Sequence, residues 1–167
     1  TLLKKGITAS LCRIPDEDAQ NLTPFFPHIA TMLPLMEELP LASPETLLES
    51  DLLFLGSPTY FGNMSGEMKS FLDSTGIYWP EAKLRGKRML PFTTAGTSEG
   101  GAHLCLQSLI TYSLHMGMSP LPVPMHLPLP KAMPSYGIVA YSGASSDIPP
   151  EESVLEGVEQ ILHWILE

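Results

Sequence analysis

The most constraining stretch of the chain is Asp51-Leu-Leu-Phe-Leu-Gly-Ser-Pro-Thr-Tyr-Phe-Gly-Asn-Met64. Leu52 to Leu55 is an apolar run without polar alternation, the signature of a strand buried on both faces of a parallel sheet. It breaks at Gly56 into small residues, hydroxyls and two aromatics, and Met64, Met68, Phe71 and Leu72 then recur at helical spacing. A buried strand therefore runs through a glycine-bearing loop into a helix. In open α/β sheets such a loop lies at the carboxyl edge, where ligands bind.

The arrangement repeats. Lys87 to Phe92 reads as the next strand, with Pro91 removing one ladder donor. A second small-residue loop follows, Thr93-Thr-Ala-Gly-Thr-Ser-Glu-Gly-Gly101, and then a helix from about Gly101 to His115 with Leu104, Ser108, Leu109 and Tyr112 on its apolar face. Gly117 is the stop. Met118 to Val123 is the last strand candidate, and residues 124–147 read as irregular, full of Pro, Gly and Ser. Glu151-Glu152 open a final helix whose apolar face is Val154, Leu155, Val158, Ile161, Leu162, Ile165 and Leu166.

Upstream, Leu2 to Gly6 resembles a helix end closed by glycine. Ile7 to Ile14 is a strand candidate. The proline-rich region from Asp16 to Ser50 holds two short helical pieces, Ile29 to Glu38 and Pro44 to Glu49, the latter opened by the Ser43-Pro44 pair. Strands alternating with helices imply an α/β fold with a doubly wound parallel sheet, read here as one domain over residues 1–167.

Composition narrows the functional classes. With 18 acidic against 9 basic side chains and a net charge of −9, the chain is a poor partner for nucleic acid. No apolar run reaches the ~20 residues of a membrane span, and no leader pattern is visible. Cys12 and Cys105 offer neither a disulfide framework nor metal spacing, which predicts reduced thiols in the cytoplasm. An apolar content of 44% with 16% charged residues points to subunit contacts, hence a homo-oligomer, dimer or tetramer.

The segment Ser57-Pro-Thr-Tyr-Phe-Gly-Asn-Met64, then Met68-Lys-Ser-Phe-Leu-Asp73, Gly86-Lys87, Gly100-Gly101 and Gly117-Met118, resembles the flavodoxin-like WrbA family of FMN-dependent NAD(P)H:quinone oxidoreductases. The likeness runs from about Glu49 to Met118, with a fainter echo at Tyr141-Ser-Gly-Ala144. It implies a flavin ring lying across the two loops. Ser57, Pro58, Thr59, Tyr60, Phe61, Gly62 and Asn63 would hold one side, and Thr93, Thr94, Ala95, Gly96 and Gly101 the other. Trp79 matches a family tryptophan near the flavin, often supplied across a subunit contact. His115 matches one of a histidine pair, so that His115 and Trp79 are the catalytic candidates and His115 a further cofactor contact. The implied reaction passes hydride from NAD(P)H through FMN to a quinone, in a homotetramer.

The sequence departs from that pattern at Met116, where the family has a second histidine, and at Met125, where it has a tyrosine. The family's first strand and its phosphate-holding loop have no counterpart in residues 1–167, and the resulting gap beside Ile7–Ile14 leads to the expectation that the chain is incomplete. Two other readings stand beside this one. A flavodoxin-type electron carrier or non-catalytic scaffold would share the fold. Gly96-Thr-Ser-Glu-Gly100 also matches a nucleophile elbow, with Ser98, Asp147 and His163 in hydrolase order.

Overall fold

The computed structural model describes residues 6–167. The helix end read at Leu2–Lys5 lies outside them. Four strands, all parallel, form the sheet: β1 (Leu52–Pro58), β2 (Arg88–Ala95), β3 (Ser119–Pro120) and β4 (Ile138–Tyr141). Among the described residues four α-helices accompany them, α1 (His28–Glu37), α2 (Gly66–Ser74), α3 (Ala102–His115) and α4 (Glu152–Leu166). The result is a flavodoxin-like parallel sheet with helices on both faces.

Strand alternation sorts the core into two layers. Leu53, Leu55 and Met89 face Met68, Phe71 and Leu72 of α2 and Cys105 and Leu109 of α3. Leu90 and Ile138 face the other way, onto Ile161 and Ile165 of α4, with Leu52 and Phe54 partly buried beside them. Ser65 caps α2 by accepting the Met68 N–H at 3.2 Å.

β1 lies along β2 from Leu52 opposite Arg88 to Pro58 opposite Thr94. The opposite edge of β2 is shared. β3 pairs with Arg88 and Met89, whereas β4 pairs with Phe92 to Ala95. The last strand is thus interrupted, and residues 121–137 leave the sheet and return to it. This overturns the expectation of a strand over Met118–Val123 followed only by irregular chain. It also explains Pro91. Arg88 donates to Asp51 O at 3.0 Å on the β1 side, so the two-residue alternation aims the Pro91 nitrogen at the break between β3 and β4, where no ladder bond is lost.

Two further expectations are corrected. Ile7–Ile14 is no strand: among the described residues only Arg13 pairs, as an isolated bridge to Leu41. It donates to Pro40 O at 3.0 Å and accepts from Ala42 at 2.8 Å. A strand candidate needs a neighbouring strand to pair with, and none of the described residues supplies it. On α3, Leu104 is exposed, and the buried stripe is Ala102, Cys105, Leu106, Leu109 and Ser113. Apolar residues surround this helix, and the sheet selects which of them are covered.

Tyr112 on α3 carries a measurable consequence. Thr75 donates to Leu72 O at 2.6 Å, so the 2.6 Å bond between Thr75 and Tyr112 takes the tyrosine's proton. Burial is the first cause that raises the Tyr112 pKa above 10.0. A raised folded-state value keeps stability intact below the unfolded value near 10.0 and erodes it as pH climbs through the folded one. The urea midpoint should fall between about pH 9 and pH 11, and Tyr112→Phe should reduce that fall. A variant as alkali-sensitive as the parent would remove Tyr112 from the effect.

Candidate active site

Three loops meet at the carboxyl edge, one after each of β1, β2 and β4. The first is closed by reciprocal backbone bonds, Tyr60 N–H to Asn63 O and Asn63 N–H to Tyr60 O, both 2.9 Å. Phe61 and Gly62 between them have φ of +49° and +77°, the positive values a type I′ turn requires. A phenylalanine in that conformation is strained, and its ring stands fully exposed at the turn's tip. Tyr60 is half-exposed. Burial is the main reason its pKa lies above 10.0, with the carboxylates of Glu67 and Asp16 adding to the shift, so it remains a neutral hydroxyl at physiological pH.

The base of this loop is tied by Ser57, whose hydroxyl accepts from Ser65 N–H at 2.9 Å and donates to Pro58 O at 2.9 Å. Met64 N–H donates to Asn63 Oδ1 at 2.9 Å. Thr59 joins the second loop through its N–H to Thr94 O at 2.7 Å and its hydroxyl to Thr93 Oγ1 at 2.7 Å.

Close backbone approach sets the loops against one another. A Cβ on Gly101, whose φ is +82°, would sit 2.8 Å from Gly62 Cα and 3.3 Å from Gly62 N. A Cβ on Gly96 would lie 3.2 Å from Gly143 O, in the third loop. Ser142 N–H fastens that loop to Ala95 O at 2.9 Å. The residues read from the sequence, Ser57 to Asn63 on one side and Thr93 to Gly96 with Gly101 on the other, are therefore gathered at one edge. Small residues, hydroxyls and free backbone at such an edge suit a flat ring rich in hydrogen-bonding groups, as the isoalloxazine of FMN is. Among the described residues no further strand or hydroxyl-rich loop flanks the open edge of β1.

Gly143 and Ser142 are the contributors that motif reading only brushed against. Their signal is the short apolar run Ile138–Tyr141 breaking into Ser-Gly, the same form as the two loops before it.

Trp79 and His115 lie elsewhere. α3 begins beside the loops and runs back for 14 residues, about 21 Å at ~1.5 Å per residue, to end at His115. Trp79 follows α2 and the turn Thr75–Tyr78, and its neighbour Tyr78 donates its hydroxyl to Glu45 Oε1 at 3.0 Å, on the segment that enters β1 at its amino end. Both side chains are exposed. Within one chain they do not reach the three loops.

A hydrolase triad is not assembled. Ser98 donates to Glu99 Oε1 at 2.5 Å, and that bond is the first cause of the lowered Glu99 pKa. His163, on α4, pairs with Glu167 at 2.6 Å. Outside the loops, a cavity of about 360 Å³ is lined by Arg13, Asp16, Glu17, Gln20, Met36 and Glu37. No helix among the described residues is long and apolar enough to cross a membrane.

Comparison with known proteins agrees with this architecture. Residues 5–127 match the family described as NADPH-dependent FMN reductase. A Rhizobium meliloti protein named NAD(P)H dehydrogenase (quinone) 3 is 38% identical over 113 residues, 68% of this chain and 51% of that protein. An Archaeoglobus fulgidus NAD(P)H dehydrogenase (quinone) is 32% identical over 151 residues, 90% of this chain and 76% of that protein. The chain spans between 38% and 60% of the lengths of three other such relatives. Among solved structures, a WrbA-like flavodoxin from Agrobacterium tumefaciens superposes with a TM-score of 0.51 at 23% identity, covering 73% of this chain and 71% of that one. An apo NADH:FMN oxidoreductase gives 0.53 at 20% identity, covering 92% and 68%. The fold and the match over residues 5–127 together place this chain in the NADPH-dependent FMN reductase family.

Proposed function

We propose that residues 1–167 act as one flavodoxin-like domain that holds FMN and carries out NAD(P)H:quinone oxidoreduction in the cytoplasm. The observation that carries this reading is the pairing of Gly62 with Gly101 at an edge lined by hydroxyls, in a chain whose relatives bear the name NAD(P)H dehydrogenase (quinone). Ser57, Pro58, Thr59, Tyr60, Phe61, Gly62 and Asn63 form one wall of the ring site. Thr94, Ala95, Gly96 and Gly101 form the other, with the sequence candidate Thr93 buried behind them instead of against the ring. The cofactor supplies the hydride-accepting chemistry. NAD(P)H and a proton give up two electrons and two protons in total, and quinone leaves as hydroquinone.

The positions of Trp79 and His115 favour an active site completed by a second copy of the chain, as a homodimer or homotetramer. Both lie exposed at the amino edge, where they can meet another subunit's loops. Free thiols at Cys12 and Cys105 accord with a reducing cytoplasm.

The first test is a visible spectrum after incubation with FMN and desalting, followed by NAD(P)H oxidation with a quinone acceptor. Retained flavin with turnover supports the enzyme. Retained flavin without turnover favours the electron carrier, and a colourless protein refutes the cofactor assignment. Trp79→Ala should leave FMN affinity within about twofold while lowering quinone turnover ~10-fold or more and shifting sedimentation to smaller species. Equal loss of FMN binding would place Trp79 against the ring of its own subunit.

A further inference from the structure

Three hydroxyl-bearing residues beneath the loops fix a direction that has a consequence for the ligand. The Thr93 side chain is 1% exposed. Its Oγ1 lies 2.7 Å from Ser57 O, 2.7 Å from Thr59 Oγ1, 3.3 Å from Thr94 O and 3.5 Å from Cys105 Sγ. A carbonyl oxygen can only accept, and two oxygens stand 2.7 Å apart favourably only with a proton between them. The single proton of Thr93 therefore belongs to Ser57 O, since the Thr94 carbonyl is farther away. The contact with Thr59 then requires the Thr59 proton. The chain of donation runs inward, from Thr59 to Thr93 to the Ser57 carbonyl.

We infer that Thr59 presents only lone pairs to the carboxyl-edge cleft, and that Thr93 is a positioning residue that holds it so. The site then selects a ligand with an N–H donor at this point. This rests on the FMN reading given above. The oxidised flavin ring carries a single N–H, at N3, so Thr59 is assigned to N3–H. The buried Thr93 touches no ligand and acts through Thr59.

The experiment compares FMN with N3-methyl-FMN, which lacks that donor, by fluorescence quenching. The parent protein, Thr59→Ala, Thr93→Ser and Thr93→Val are titrated with each. The parent should prefer FMN by roughly tenfold, the scale of one hydrogen bond in a desolvated site. Thr59→Ala, which also makes room for the methyl group, should bring the ratio close to one. Thr93→Val should reduce the preference to about threefold and Thr93→Ser should restore it. A parent that binds both flavins equally overturns this inference and leaves the FMN reading standing. A parent that binds neither overturns both. A Thr59→Ala ratio still near tenfold places N3–H elsewhere, and Thr59→Ala decides the matter even if Thr93→Val fails to fold.

Discussion

Gly101→Ala should lose FMN binding by ~30-fold or more and should lower unfolding stability by about 1–2 kcal/mol. The stability loss comes from the backbone. At φ +82° an added Cβ is strained wherever it points, a cost of about 1–2 kcal/mol for an L-residue. The binding loss comes from position. The new carbon would meet Gly62 Cα at 2.8 Å and Gly62 N at 3.3 Å, and both are main-chain atoms that cannot rotate aside. Either the Tyr60–Asn63 turn moves or the start of α3 does, and both are walls of the proposed ring site. Gly62→Val, at φ +77°, is also expected to abolish binding, but its Cβ meets only the Leu104 side chain, at 3.2 Å, which is exposed and can turn away. Backbone strain and the bulk of the branched side chain carry that second effect. Flavin fluorescence quenching with urea unfolding separates the two quantities. An unchanged FMN affinity in Gly101→Ala would remove the contact between these loops from the cofactor site.

Gly137→Ala should give the larger loss of stability, about 3 kcal/mol or more. At φ +144° this residue brings the chain back to the sheet just before β4, and a Cβ there would stand 2.4 Å from Pro91 O. Pro91 belongs to the central strand, held on one side by β1. The nearby Pro91 Cγ at 3.0 Å and Leu106 Cδ2 at 3.1 Å close the remaining space. The expected outcome is a detached β4, read as a lowered urea midpoint and faster amide exchange at Ile138–Tyr141. A shift under about 1 kcal/mol would mean that the return path can move without cost to the ladder.

What the residues disclosed in advance follows from how local each signal is. β1, α2 and α4 announce themselves through runs and periods that need no knowledge of the rest of the chain. So do the two loops, because Gly62, Gly96 and Gly101 mark close backbone approach. Ile138–Tyr141 was hidden for the opposite reason. It is four residues long, largely buried and without alternation, and its strand character depends on the stretch of β2's edge that β3 leaves vacant, remote in sequence but adjacent in space. The Ile7–Ile14 candidate failed because only pairing with a neighbour makes a strand, and among the described residues Arg13 alone finds one. The donation from Thr59 to Thr93 cannot be read from residue types at all, since a hydroxyl's proton goes where its neighbours leave it to go. The placement of His115 away from the loops is a property of the direction and length of α3, which no motif encodes.

The interrupted edge of β2 also says something about how such a chain tolerates change. Residues 121–137 leave from one short ladder and rejoin at another on the same strand, while Leu121, Leu127, Leu129 and Met133 lean on the core beneath α4. Near the outer end Met125 is almost wholly exposed. Added length at that point leaves the register on both sides untouched, and each doubling of a flexible loop costs only about 0.6 kcal/mol of closure entropy. Met125 is accordingly a graft point, where a reporter peptide or a foreign epitope can be carried without disturbing the cofactor loops at the other end of β4.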